Sequence, residues 1–186
     1  LFLGGGLTCS RPRGPCGNGP GLGRLDEASS ELWTSLDAGA SWSLVTPAAG
    51  QVRWSGRHAF GLFAELHGSG ALLVVGGRAP FGVDLRDVWR STDGGATWTP
   101  QVLNADFPAR SYHATAMSPD DTSIFVLGGR DANGSALSDV WVSTDQGRSW
   151  SQRAPIQGGR HSFGAVVNAH GALVILGGLP FRSGVM

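Results

Sequence analysis

Apolar positions in this chain gather in short runs that close on paired glycines. "LLVVGG" (72–77), "IFVLGG" (124–129) and "LVILGG" (173–178) share one shape. None alternates with polar residues, which predicts strands packed on both faces. An acid-x-Trp segment recurs as "ELW" (31–33), "DVW" (87–89) and "DVW" (139–141). Its mixed polar and apolar positions read as a strand nearer an outer edge. A box S-x-D-x-G-x-(S/T)-W follows each time, as "SLDAGASW" (35–42), "STDGGATW" (91–98) and "STDQGRSW" (143–150). Arginine with histidine supplies a fourth landmark, at Arg57-His58, Arg110 with His113, and Arg160-His161. Every landmark keeps its order, at a period of about 50 residues, which marks a repeat architecture.

Each period divides into four strands. In the second unit they are expected at 58–66, 71–77, 85–91 and 97–103. "HGSG" turns between the first two, and the box joins the last two. With "LFLGG" taken as a second strand, the chain holds thirteen such strands. They fall in an incomplete unit at 1–45 with a Gly/Pro-rich insertion at 5–25, complete units at 57–103 and 110–153, and an incomplete unit at 160–186.

The glycine-terminated run, the "DVW" segment and the Arg-His landmark together resemble kelch repeats, as in the central domain of galactose oxidase. The box resembles the Asp-box, or BNR, hairpin of sialidases and related proteins. Both resemblances imply an all-β fold, a β-propeller of four-stranded antiparallel blades. Little more than three blades are present, whereas closed propellers have about four to eight. The chain is therefore expected to be part of a longer propeller; closure by assembly of several chains is the alternative.

Composition narrows the partners. Thirty glycines and seven tryptophans with only 15% charged residues suit a turn-rich all-β protein. Fourteen arginines, with no lysine, balance fourteen acids, so net charge gives no reason to expect nucleic acid. No apolar run approaches the roughly 18 residues of a membrane-spanning helix.

The box reads as scaffold. Asp37, Asp93 and Asp145 can accept hydrogen bonds from downstream amides, as in an Asx-turn. Gly39, Gly95 and Gly147 can take positive φ. Ser35, Ser91 and Ser143, with Ser41, Thr97 and Ser149, can tie the hairpin, and Trp42, Trp98 and Trp150 offer apolar faces between blades. One acid per turn falls short of the six or more oxygens calcium takes. In the families it resembles, the box lies away from the active site, so function is expected on the opposite face, among the 2–3 and 4–1 loops.

That loop face carries Arg57, Arg78, Arg110, Arg130 and Arg160, which can bind a carboxylate or an acidic peptide bidentately. The same arginines can instead hold loop carbonyls and neighbouring blades. His58, His113 and His161 come from three different blades; they are expected in the core or facing loops, with no metal. Tyr112 is the only tyrosine, and Glu65 is an isolated acid beside a turn. Phe81 and Phe107 are expected as exposed loop aromatics able to stack on sugars. Asn133-Gly134-Ser135 reads as a turn, or as a glycosylation sequon in a secreted chain. Cys9 and Cys16 can form a disulfide, stay free or bind metal; a disulfide would place the chain outside the cytosol or in a lumen.

Two functions follow. The first is a non-catalytic kelch-like scaffold that binds a protein or peptide through the loop face, with no cofactor. The second is part of a glycan-binding, sialidase-like or galactose-oxidase-like propeller whose catalytic residues lie outside this chain. No catalytic residue of those families can be placed here.

Overall fold

Local sequence rules produce strands wherever the apolar runs predicted them. The computed structural model describes residues 2–4, 7–8, 27–65, 67 and 69–180. β1 (Phe2–Gly4) opens the first sheet. A two-residue ladder of β2 (Leu7–Thr8) and β3 (Glu27–Ala28) follows, then β4 (Leu32–Thr34) and β5 (Ser43–Leu44) complete the sheet in the order β1-β4-β5. The β2–β3 ladder was not expected; it pairs Leu7 with Ala28 and Thr8 with Glu27 across the base of the insertion. Residues 9–26, with Cys9 and Cys16, lie outside the described residues, as does 181–186.

The second sheet runs β6 (Gly61–Ala64), β7 (Leu72–Arg78), β8 (Asp84–Ser91), β9 (Thr99–Val102). The third runs β10 (Ala114–Met117), β11 (Ile124–Arg130), β12 (Ala136–Ser143), β13 (Ser151–Arg153). A last pair joins β14 (Arg160–Val167) to β15 (Leu173–Pro180). All ladders are antiparallel, each strand bonded to the next in its unit, which makes the sheets successive blades. The described residues hold no α-helix.

The glycine pairs have a specific task. The β7–β8 register shifts between Val75 and Gly77, and the β11–β12 register between Leu127 and Gly129. Gly76 and Gly77 have φ of 54° and 99° there, a region L side chains rarely adopt. The resulting bulge lets the Gly77 N–H donate to the Arg110 carbonyl of the next blade at 2.9 Å. At Gly128 a Cβ would stand 2.7 Å from the Arg160 carbonyl oxygen, so no larger residue fits that joint.

A second joint runs beside it. Ala59, Tyr112 and Ser162 have φ of 52°, 56° and 57°. The Tyr112 N–H donates to the Ala59 carbonyl at 2.9 Å, and the Ser162 N–H to the Tyr112 carbonyl at 2.9 Å. One left-handed residue per blade thus links three blades in series. The first strand of the second blade, β6, begins at Gly61 rather than at His58, whereas β14 runs through its left-handed Ser162. The joint corrects one alignment. Ser111 occupies the place of His58 and His161, while His113 occupies the place of Phe60 and Phe163.

Two apolar layers separate three blades. Leu32, Trp54, Leu72, Val74, Trp89 and Trp98 fill the first. Leu73, Val75, Val88, Phe107, Ile124, Val126 and Trp150 belong to the second. Alternate residues of β7 therefore serve opposite layers, which is why its sequence shows no polar alternation. Trp98 meets Trp54 edge-on at 6.0 Å, and Trp150 meets Phe107 at 5.1 Å. The expectation of an exposed Phe107 is thereby corrected: it is fully buried under the third box. Trp42, with no preceding blade among the described residues, remains 41% exposed.

Candidate functional site

Two of the five candidate arginines prove internal. Arg57 and Arg110 are fully buried. Arg57 donates from Nη1 and Nη2 to both oxygens of Asp87 at 2.6 and 2.8 Å, and from Nη1 to the Gly76 carbonyl at 2.9 Å. Arg110 repeats this with Asp139 at 2.8 and 2.6 Å and with the Gly128 carbonyl at 2.8 Å. The indoles of Trp89 and Trp141 donate to the same acids, each at 2.7 Å. Burial works against an ionised Asp139, but hydrogen bonding and charge from Arg110 outweigh it and hold the group below the usual carboxylate range. Both guanidiniums are buried and engaged inside the fold, which corrects the expectation that they contact a ligand. The arginine and acid-x-Trp landmarks form one fastener, and their common period was the signal that they belong together.

Arg160 donates to the Gly177 and Gln157 carbonyls, both at 3.4 Å, on an exposed edge. Arg130 donates from Nε to the Gly134 carbonyl at 3.3 Å across its own turn. That turn is organised by Asp131, which accepts from the Asn133 and Ser135 N–H groups at 3.0 and 2.8 Å. Asn133-Gly134 thus sits in a turn.

The boxes are hydrogen-bonded hairpins. Asp93 accepts from the Ser91 hydroxyl at 2.8 Å, and from the Thr97 N–H and hydroxyl at 2.9 and 2.6 Å. Ser91 in turn accepts from the Gly95 N–H at 2.8 Å. Asp37 with Ser35 and Ser41, and Asp145 with Ser143 and Ser149, repeat the pattern. Hydrogen bonds from Ser41 push Asp37 down to about 2. The indoles of Trp98 and Trp150 donate to the Gly95 and Gly147 carbonyls at 3.0 and 3.1 Å. Both oxygens of each acid accept within their own turn.

On this box face, a cleft of about 380 Å³ is lined by Glu65, His67, Ser69, Arg90, Asp120, Asp121 and Gln146. Its groups mostly bind one another. Arg90 donates to Glu65 at 3.0–3.2 Å and to Ser69 at 3.0 Å, and His67 lies 3.5 Å from Asp121. The isolated acid Glu65 is therefore an ion-pair partner.

The loop face differs. His58 pairs with Arg78, and Arg78 with Asp84, in register across three strands. Residues facing each other this way share one face of a sheet. Arg78 Nη1 lies 3.7 Å from Asp84 Oδ1, beyond hydrogen-bond distance. Burial, then the Arg78 charge, pushes His58 down against the pull of Asp84, so the ring is neutral at neutral pH. Tyr112 stands between His58 and His161, with ring centroids 6.2 and 6.3 Å away. Burial and the Arg130 charge also lower His161. His113 is a core residue, pushed down to about 3 chiefly by burial.

Between Arg78 and Asp84, Pro80–Gly82 form a 3-10 turn. Phe81 sits on it with a left-handed φ of 62° and is 95% exposed. The loop face therefore carries a solvent-facing aromatic, a His-Tyr-His row and two part-buried arginines. Sequence reasoning had Phe81, Tyr112, Arg78 and Arg130 but missed Asp84. The available signal was "GVDLRDVW" against "GSALSDVW", where Asp84 stands opposite Ala136.

Comparisons with known proteins point to one architecture. A xyloglucanase of Hypocrea jecorina (strain QM6a) is 30% identical over 99 residues, covering 53% of this chain and 11% of that protein. Xyloglucanase Xgh74A of Acetivibrio thermocellus is 39% identical over 70 residues, covering 35% of this chain and 8% of that protein. The chain thus spans about a tenth of the length of these relatives. A family model described as the DUF6242 beta propeller domain matches residues 63–166, more than half of the chain and including nearly all of both complete blades. Blades, bulged glycine joints and that match agree, and the chain belongs to the DUF6242 beta propeller domain family.

Proposed function

We propose that this chain is a section of a glycan-binding propeller, and that its loop face meets a polysaccharide of the xyloglucan type. The observation that carries the reading is Phe81, an aromatic ring 95% exposed on the loop between β7 and β8 of that face. An exposed aromatic of this size on a short turn commonly marks a binding surface. Half-buried Tyr112, His58 and His161 extend the surface with polar tips suited to hydroxyl groups. Relatives named as xyloglucanases give the substrate class. In this reading the chain supplies binding surface, and any catalytic acids of the full-length protein lie in its other blades.

The protein- or peptide-binding reading draws less support. Its arginine rim loses Arg57 and Arg110 to the interior. The box hairpins we assign to the Asp-box type, as scaffold on the face turned from the ligand. The test is calorimetric titration of the full-length protein with xyloglucan oligosaccharides. Phe81→Ala should weaken binding by about fivefold, equivalent to roughly 1 kcal/mol of ring contact. Tight binding of an acidic peptide with no glycan binding would reverse the assignment.

A further inference from the structure

Asp84 is the one buried carboxyl group in the described blades that the scaffold leaves incomplete. Its side chain is fully removed from solvent. Neither Oδ1 nor Oδ2 has a hydrogen-bond partner among the described residues, and the nearby His58 Nδ1 is likewise buried and unbonded. Arg78 stands off at 3.7 Å. Asp87, three residues later on the same strand, offers the contrast. Both its oxygens accept from Arg57, and one also accepts from Trp89. Burying a polar group without partners costs stability, so such a group needs a reason to persist. The fold does not supply that reason, because the third blade builds the same strand with Ala136 at the matching register.

We propose that Asp84, with His58 Nδ1 and Arg78, is a ligand-binding site that the hydroxyl groups of a bound glycan complete. The inference rests on the glycan-binding reading above and names the groups that fix the sugar's orientation. Hydroxyls donate to the Asp84 oxygens, and His58 Nδ1 and Arg78 take the remaining sugar oxygens and hydrogens. Entry passes the short loop 79–83, which precedes Asp84 and is closed by one hydrogen bond from the Ala79 N–H to the Val83 carbonyl at 2.8 Å. Its apolar side chains Phe81 and Val83 are 95% and 55% exposed, so little packing opposes its displacement. Once displaced, Phe81 is placed to stack on the sugar whose hydroxyls Asp84 holds.

The test uses the full-length protein, xyloglucan oligosaccharides as probe, and Asp84→Ala, which copies the third blade. The expected result is a loss of affinity of about tenfold or more, as when buried donors and acceptors lose their partner. The melting temperature should stay equal or rise, because an incomplete polar group has been removed. Wild-type affinity in Asp84→Ala would overturn the site while leaving the glycan-binding reading intact. A clear drop in melting temperature would also overturn it, by making Asp84 structural. Failure of the wild-type protein to bind any xyloglucan oligosaccharide would overturn the broader reading and this site with it.

Discussion

The second and third blades are built from one plan and differ where the plan is silent. Both carry a buried arginine bound to an acid and a tryptophan, a bulged glycine pair, and a box whose indole packs into the layer behind it. They part at several places, three of which concern exposed or charged groups. Asp84 corresponds to Ala136, Phe81 to Asn133, and the Glu65–Arg90 pair has Ser118 and Val142 in its place. What repeats holds blades together; what departs from the repeat is free to serve something else. By that measure the loop-face departures at Phe81 and Asp84 are the informative ones, since nothing in the fold requires them.

The comparison can be broken most severely at the shared fastener. Arg110→Ala leaves Asp139 buried and strips the Gly128 carbonyl of its partner. It should cost about 3–5 kcal/mol in urea unfolding, with Arg57→Ala costing a similar amount. A much smaller loss in only one of the two would mean the blades are not equivalent. Next comes the box. Asp93→Ala should cost about 1–2 kcal/mol and leave glycan affinity unchanged; lost affinity with an unchanged melting temperature would move function to the box face.

The box also carries a pH signature. Burial opposes ionisation of Asp145, but hydrogen bonds from Ser149 and Ser143 hold it at about 2, below its ordinary 3.8. A lowered folded-state value stabilises the fold above the unfolded value and loses that contribution as pH falls. The melting-temperature difference between wild type and Asp145→Asn should therefore be full above about pH 5, shrink as pH falls through the folded value of about 2, and vanish only below it. Smallest is the ion pair. Replacing Glu65 by Ser and Arg90 by Val together, as in the third blade, should change stability by no more than about 1 kcal/mol. Both side chains are largely buried, and the small change is expected because Ser and Val replace the two partners together and leave no unpaired charge. A large loss would give that cleft a structural role.

Much of the fold was legible because each landmark has a local cause. Runs such as "LLVVGG" read as doubly buried strands, and the structure sends Leu72 and Val74 to one layer and Leu73 and Val75 to the other. The box turns were readable from the reach of Asp93 to residues two to four positions away. His113 misled because it is the first histidine after Arg110, although it stands three residues on where the other pairs are adjacent; the left-handed residue at Tyr112 sets the register. Phe107 misled because a loop position says nothing about the indole of Trp150 lying over it.

The sequence by itself determined the repeat, the strand order of the two complete blades and the turns made by the boxes, since these depend on periodicity and short-range hydrogen bonding. Only the tertiary structure decided which charges are inside. Arg57 and Asp87 are thirty residues apart, and Arg110 and Asp139 twenty-nine, so their pairing appears only when strands are laid side by side. The same packing leaves Asp84 enclosed with its oxygens unbonded, because burial and missing partners are properties of the surroundings and not of the residue.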